Sequence, residues 1–109
     1  MRKHAVVFDD SFFDALAEQV EAERDGYGRP SRTDVLAYEV MPLLELLADD
    51  YLNVTLPVPD DDLFRVLMQP GLIVQRINLY IYDLDGTVHV FYVEVEHLPL
   101  ETIDDTSDE

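Results

Sequence analysis

Apolar and polar residues alternate most regularly in the stretch GLIVQRINLYIYDLDGTVHVFYVEVEH, which opens at Gly71 and closes at His97. Two runs rich in Ile, Val, Tyr and Phe flank Asp83-Leu84-Asp85-Gly86, and period-two alternation on both sides of an Asp-Gly pair predicts a β-hairpin. Asp and Gly tolerate positive φ, so the chain reverses there in a two-residue turn or in a type I turn with a glycine bulge. Successive side chains of a strand point to opposite faces, and strict alternation therefore sorts the hairpin into two sets. One set is Ile73, Gln75, Ile77, Leu79 and Ile81 with Val88, Val90, Tyr92, Glu94 and Glu96; it is aliphatic near the turn and reads as core. The other is Val74, Arg76, Asn78, Tyr80 and Tyr82 with Thr87, His89, Phe91, Val93, Val95 and His97. That face gathers polar and aromatic side chains among apolar neighbours and is the first candidate for a site.

The rest of the chain supplies layers around this hairpin. HAVVF, ending at Phe8, reads as a first strand, and Asp9, Asp10 and Ser11 after it are all good helix N-cap residues. From Ser11 to about Glu23 the apolar positions, Phe12 or Phe13, Leu16 and Val20, fall at helical spacing. The glycines and proline of GYGRP end that helix, and Ser31 or Thr33 is placed to cap a second one over about residues 32–48. Pro42 lies inside it and is expected to kink or split it. The alternating Leu52, Val54 and Leu56 suggest a short edge strand within residues 51–58, closed by Pro57 and Pro59. Residues 63–68 (LFRVLM) are another strand, and Pro70-Gly71 is a tight turn into the hairpin. The order is β-α-α-β-β-β with one extra edge strand allowed. This predicts an α+β fold, with two antiparallel helices packed on one face of a mainly antiparallel sheet. Residues 1–98 form the single domain; residues 99–109 carry five acids and no base and are expected to be a disordered tail.

Composition narrows the function classes. A chain of 109 residues is one domain with room for one core. There is no cysteine, which removes disulfides, thiolate catalysis and cysteine zinc sites, and leaves a reducing compartment allowed. No apolar run approaches a bilayer span, and the apolar run near the start is too short for a signal peptide, so the expected location is cytoplasmic with no membrane partner. Charge changes the picture most. Seven basic residues against 24 acidic ones give −17, with Lys3 the sole lysine. Such a surface repels phosphate backbones, so direct nucleic-acid binding is disfavoured. High-salt solvation, a basic protein partner and imitation of nucleic acid all remain compatible with it.

The layout and a few residues resemble the RelE/ParE toxin superfamily of toxin–antitoxin pairs. VVFDDSFFDALAEQV looks like that superfamily's first strand and helix, and LFRVLMQPGLIVQRINLYIYDLDGTVHVFYVEVEH looks like its last three strands. The superfamily commonly has an Arg at the start of the third strand, an apolar-Tyr pattern after it, and a last strand that alternates valine and ends in His. Arg76, Tyr80 and His97 match those positions, and the resemblance spans roughly residues 4–97. It implies a toxin neutralised by a cognate antitoxin. RelE-type members cut messenger RNA on the ribosome without metal, whereas ParE-type members act on DNA gyrase. The catalytic candidates it implies are Arg76, His97 and Tyr80. An endoribonuclease needs a base, an acid and a phosphate clamp, for which His89 or His97 and Arg76 are the chemical types, with Tyr80 or Tyr82 to stack a base. Tyr82, His89 and Arg65 are the further binding candidates. RNase members are generally basic, and here Arg65 and Arg76 are the only Arg or Lys between Asp34 and Glu109. The charge thus favours a protein-binding toxin over a ribosome-dependent RNase. The rival reading is an acidic binding module or nucleic-acid mimic that blocks a basic partner protein.

Ordinary structural roles compete at each position. Arg76 can pair with Glu94 or a nearby acid, His89 and His97 can be plain surface histidines, and alternating tyrosines are common half-buried sheet residues. The three histidines show no metal-ligand spacing, and the acidic run Asp60-Asp61-Asp62 lacks the spacing of a calcium loop, so no metal and no other cofactor is expected. Turn chemistry accounts for Asp83 and Asp85. A homodimer stays open.

Overall fold

The hairpin forms, and it becomes the centre of a five-stranded sheet. The computed structural model of the chain describes residues 4–23 and 29–98. Its strands are β1 (Ala5–Phe8), β2 (Leu56–Val58), β3 (Asp61–Pro70), β4 (Arg76–Leu84) and β5 (Thr87–Glu96). They lie in the order β1-β5-β4-β3-β2, with β1 parallel to β5 and the other neighbours antiparallel. Between β1 and β2 come α1 (Asp10–Gln19) and a second helical stretch made of α2 (Arg32–Val35), a π-helical turn (Leu36–Val40) and α3 (Met41–Val54). This is the expected α+β class, with the helices on one sheet face. The acidic stretch 99–109 and the glycines of the GYG loop lie outside the described residues. Among the described residues no helix is long and apolar enough to cross a membrane.

The core lies between helices and sheet. Phe12, Leu16, Val35, Val40 and Leu47 meet Leu67, Ile77, Leu79, Ile81, Val88, Val90 and Val93 there, all 2% exposed or less. Each such side chain contributes roughly 1.5–3 kcal/mol on burial. Phe12 rather than Phe13 is the one that faces inward. At the hairpin tip Leu84 pairs with Thr87, and Asp85 and Gly86 both have positive φ (52° and 84°), so the turn is the two-residue kind.

Three expectations are corrected. The first concerns the hairpin faces. Tyr80 pairs with Tyr92 but Ile81 pairs with Val90, so Phe91 is an extra residue, a β-bulge. Beyond it the faces exchange: Val93 and Val95 join the core, while Tyr92, Glu94 and Glu96 turn outward. Strict alternation would have driven two carboxylates into the apolar layer, which is far more unfavourable than one interrupted ladder rung.

The second concerns residues 51–54, which are helical, not strand; only Leu56–Val58 remain as the edge strand. Continuing the helix buries Tyr51 beside Leu47. Thr55 ends it, with its Oγ1 donating to the Tyr51 carbonyl at 2.6 Å. Pro42 sits in the first turn of α3, directly after the π turn, and the sharp departure from helical geometry falls at Asp50 instead. A widened turn just ahead of the proline is compatible with its missing N–H.

The third concerns the entry to the hairpin. Residues 71–75 are not strand but a loop wrapped around Glu39, a side chain from the π turn that is only 5% exposed. Its Oε2 accepts the backbone N–H groups of Leu72 (2.7 Å), Ile73 (2.7 Å) and Val74 (3.0 Å). Three charge-assisted bonds offset the burial of that carboxylate. Gly71 is needed beside it, since a Cβ there would stand 2.4 Å from the Val74 carbonyl oxygen and 2.7 Å from Glu39 Oε2.

Candidate functional site

Among the described residues, helices cover one face of the sheet and leave the other open. The pleat places Val7 of β1, Phe64, Val66 and Met68 of β3, and the outward residues of β4 and β5 on that open face. Its centre is a connected run of rings. Phe64 meets Phe91 at 4.9 Å between centroids and Tyr82 at 6.2 Å, Phe91 meets Tyr82 at 5.7 Å and Tyr80 at 6.4 Å, and Tyr80 meets Tyr92 at 5.8 Å. The bulge is what adds Phe91 and Tyr92 together to this set. Val7, Leu56, Met68 and Tyr92, with 41% to 57% of their surface exposed, extend the apolar patch around it.

Carboxylates fix the polar groups at both ends of the ring run. At the β1 end Asp9 stands at the N-cap of α1 but makes no capping bond with its side chain. Its Oδ1 faces His89 Nδ1 at 3.1 Å, and its Oδ2 accepts from the Tyr82 hydroxyl at 2.9 Å. The imidazole lies flat on Tyr82, with centroids 4.8 Å apart and planes within 4°. Opposite a carboxylate, Nδ1 is the donor and Nε2 is left as the second ring nitrogen. The hydrogen bond to Asp9, then burial, raises the Tyr82 phenol above its ordinary value.

At the other end Glu94 Oε1 accepts from the Tyr80 hydroxyl at 2.8 Å and from Asn78 Nδ2 at 3.2 Å. The bond to Glu94, then burial, raises the Tyr80 phenol as well. Arg76, directly across from Glu96, approaches it at 3.9 Å with both side chains more than half exposed. This is a weak surface pair, and it takes up the one Arg or Lys that the open face carries among the described residues.

The sequence candidates thus fall into two groups. Arg76, Tyr80, Tyr82 and His89 share the open face. His97 and Arg65 do not. His97 lies on the helix side, where its Nε2 contacts the Gln19 carbonyl at 2.9 Å and the ring lines a cleft with Glu23 and Arg29. Arg65 ends α3: it donates to the Leu52 and Thr55 carbonyls at 3.2 and 2.9 Å and to Thr55 Oγ1 at 2.6 Å. Arg32 does the same for α1 through the Val20 carbonyl at 2.8 Å. Two cations of a cation-poor chain are therefore engaged at helix C-termini, where carbonyls lack partners. An acid, a base and a phosphate clamp do not converge, and a phosphate on the open face would meet Asp9, Glu94 and Glu96. No group of His, Asp and Glu among the described residues has a metal-binding arrangement.

Residue reading alone did not single out Asp9, Phe64, Tyr92 or Glu94. In the sequence Asp9 reads as a helix cap, and strict alternation puts Tyr92 and Glu94 on the core face. The available signal is the valine spacing along β5, which breaks period two between Val90 and Val93. Comparison of the chain with family models, with curated proteins and with solved structures finds no match.

Proposed function

We propose that this chain is a protein-binding module whose open sheet face takes a partner with a basic surface. A connected run of five aromatic rings, four half-buried and Tyr92 exposed, bordered by Asp9, Glu94 and Glu96, carries this reading. Aromatic area is the usual anchor of protein interfaces, and carboxylates at its rim steer and select a cationic partner. The net charge of −17 acts in the same sense over longer range. The RelE/ParE-like layout supports a setting for it, a cytoplasmic toxin of a toxin–antitoxin pair that works by protein contact, with the antitoxin as cognate partner. Ribosome-dependent RNA cleavage is the weaker reading, because His97 stands apart from Arg76 and Glu96 lies directly across from the latter.

The test expresses the chain in a host cell alone and beside its neighbouring gene. Growth arrest that the neighbour relieves, and that Phe91→Ser abolishes, supports a toxin acting through the open face. Harmless expression, together with no binding of an arginine-rich peptide by the purified chain, overturns it.

A further inference from the structure

The open face ends in a carboxylate that is held in place yet half unused. Both bonds to Glu94 end on Oε1, and among the described residues no donor reaches Oε2. The contrast with Asp9 is direct, because His89 and Tyr82 occupy both of its oxygens. Arg76 only approaches Glu96 at 3.9 Å, so among the described residues Glu94 is the carboxylate of this face that is fixed by hydrogen bonds, from two side chains of the neighbouring strand, and still keeps one oxygen open.

The surroundings of that acceptor suit one kind of cation. Tyr80 and Tyr92 stand side by side across the β4–β5 ladder with their planes 63° apart, and Tyr92 is exposed. Met68, also exposed, sits across from Asn78 on the β3 side. An aromatic wall beside an oriented carboxylate binds a guanidinium better than an ammonium. The guanidinium is planar, sheds water more readily, stacks on rings and donates from a fixed fork.

We infer that Tyr80, Tyr92 and Glu94 form a recognition site for an arginine side chain, through which a basic polypeptide segment anchors on the open face. The inference rests on the reading of that face as a binding surface and names its anchor. Charge complementarity selects the occupant. A second copy of this chain brings another −17, and a nucleic acid brings phosphates; both are repelled by what a basic segment is drawn to. Tyr80 acts twice, as ring wall and as the donor that positions Glu94.

The experiment titrates the full chain with a short capped peptide holding one arginine among glycines and serines, followed by NMR of the backbone and tyrosine rings. Parallel titrations use the same peptide with lysine and with citrulline, the neutral isostere. Expected are shifts centred on Tyr80, Tyr92 and Glu94, weaker binding of lysine and none of citrulline. Removing the exposed charge by Glu94→Gln should weaken arginine binding about fivefold. Removing the exposed ring by Tyr92→Ala should weaken it about threefold. Tyr80→Phe keeps the ring, frees Glu94 and should fall between wild type and Glu94→Gln. Glu18→Gln, on the exposed side of α1, should leave binding unchanged. Shifts spread evenly over the acidic surface, equal binding of arginine and lysine, or no loss in Glu94→Gln would each overturn the site. Arginine-driven dimerisation would overturn it as well. If the site falls while Phe91→Ser still abolishes growth arrest, the open-face reading survives without this anchor. If Phe91→Ser is also silent, both fall.

Discussion

Glu39 and Glu94 are both carboxylates fixed by hydrogen bonds, and they differ in what each has left over. Glu39 is buried and serves three backbone N–H groups of the loop that leads into β4. Glu94 is exposed, serves two side chains through one oxygen and keeps the other. The first is consumed by the fold. The second is presented by it. In this acidic chain, therefore, the carboxylate count says little, and the number of satisfied acceptor positions separates structural acids from available ones.

The largest effect should come from the register that keeps these two environments apart. Deleting Val93 moves Glu94 into the Val93 core position and should cost several kcal/mol, enough to prevent folding. Deleting Phe91 should instead regularise the ladder, because Tyr80 already pairs with Tyr92 and Ile81 with Val90. Circular dichroism and urea melts should show a folded protein for the Phe91 deletion and none for the Val93 deletion; the reverse would refute the bulge.

Next in size is Glu39→Ala. Three backbone donors lose a charged acceptor, and stability should fall on the order of 3–5 kcal/mol in denaturant titration. Glu39→Gln keeps an acceptor oxygen and should lose clearly less. A loss under about 1 kcal/mol for the alanine variant would mean that the loop is not seated on this carboxylate. Gly71→Ala probes the same seat from its backbone side. The new Cβ, 2.6 Å from Val74 Cγ2 and closer to the Val74 carbonyl, should cost roughly 1–3 kcal/mol. Glu94→Gln belongs at the other end of the scale, with a stability change within about 0.5 kcal/mol, because the side chain and both of its hydrogen bonds are exposed. A larger change would make Glu94 structural and remove the contrast with Glu39.

The smallest expected signal is in the tyrosines. Tyr80 and Tyr82 are raised chiefly by their carboxylate bonds, and Tyr51 chiefly by burial, then by its 2.8 Å bond to Asp83. A raised phenol means that the fold favours the protonated form. Its contribution is then complete below the ordinary tyrosine value of about 10 and is lost as pH rises through the folded value. Ultraviolet titration should show these phenols ionising later than in the urea-unfolded chain, and Tyr80→Phe should remove part of the lag. Coincident folded and unfolded titrations would show that the carboxylate bonds do not hold in solution.

Much of the fold was legible because its signals are local. The Asp85-Gly86 turn, the Ser31 cap with its reciprocal Asp34 bond, and the Phe12, Leu16 and Val20 stripe each need only a few neighbouring residues to be recognised. The bulge was legible in retrospect. Buried residues run Val88, Val90, then Val93, and that spacing of three within a period-two strand marks an inserted residue. Glu39 left no such mark, since its partners lie 33 to 35 residues away. The helical state of residues 51–54 was hidden for a related reason, because Leu52, Val54 and Leu56 alternate like a strand while a distant arginine, Arg65, ties the helix end.

The sequence by itself determined the layer architecture, the position of the hairpin and the sign of the chain's own charge, because periodicity, turn chemistry and net charge are sums over local residues. Only the tertiary structure decided which face each residue beyond Phe91 occupies, that His97 and Arg76 part company, and that Asp9 abandons its helix for His89 and Tyr82. Those outcomes depend on which groups meet across the sheet. A carboxylate is bound or free according to donors that arrive from elsewhere in the chain, and no local pattern records their arrival.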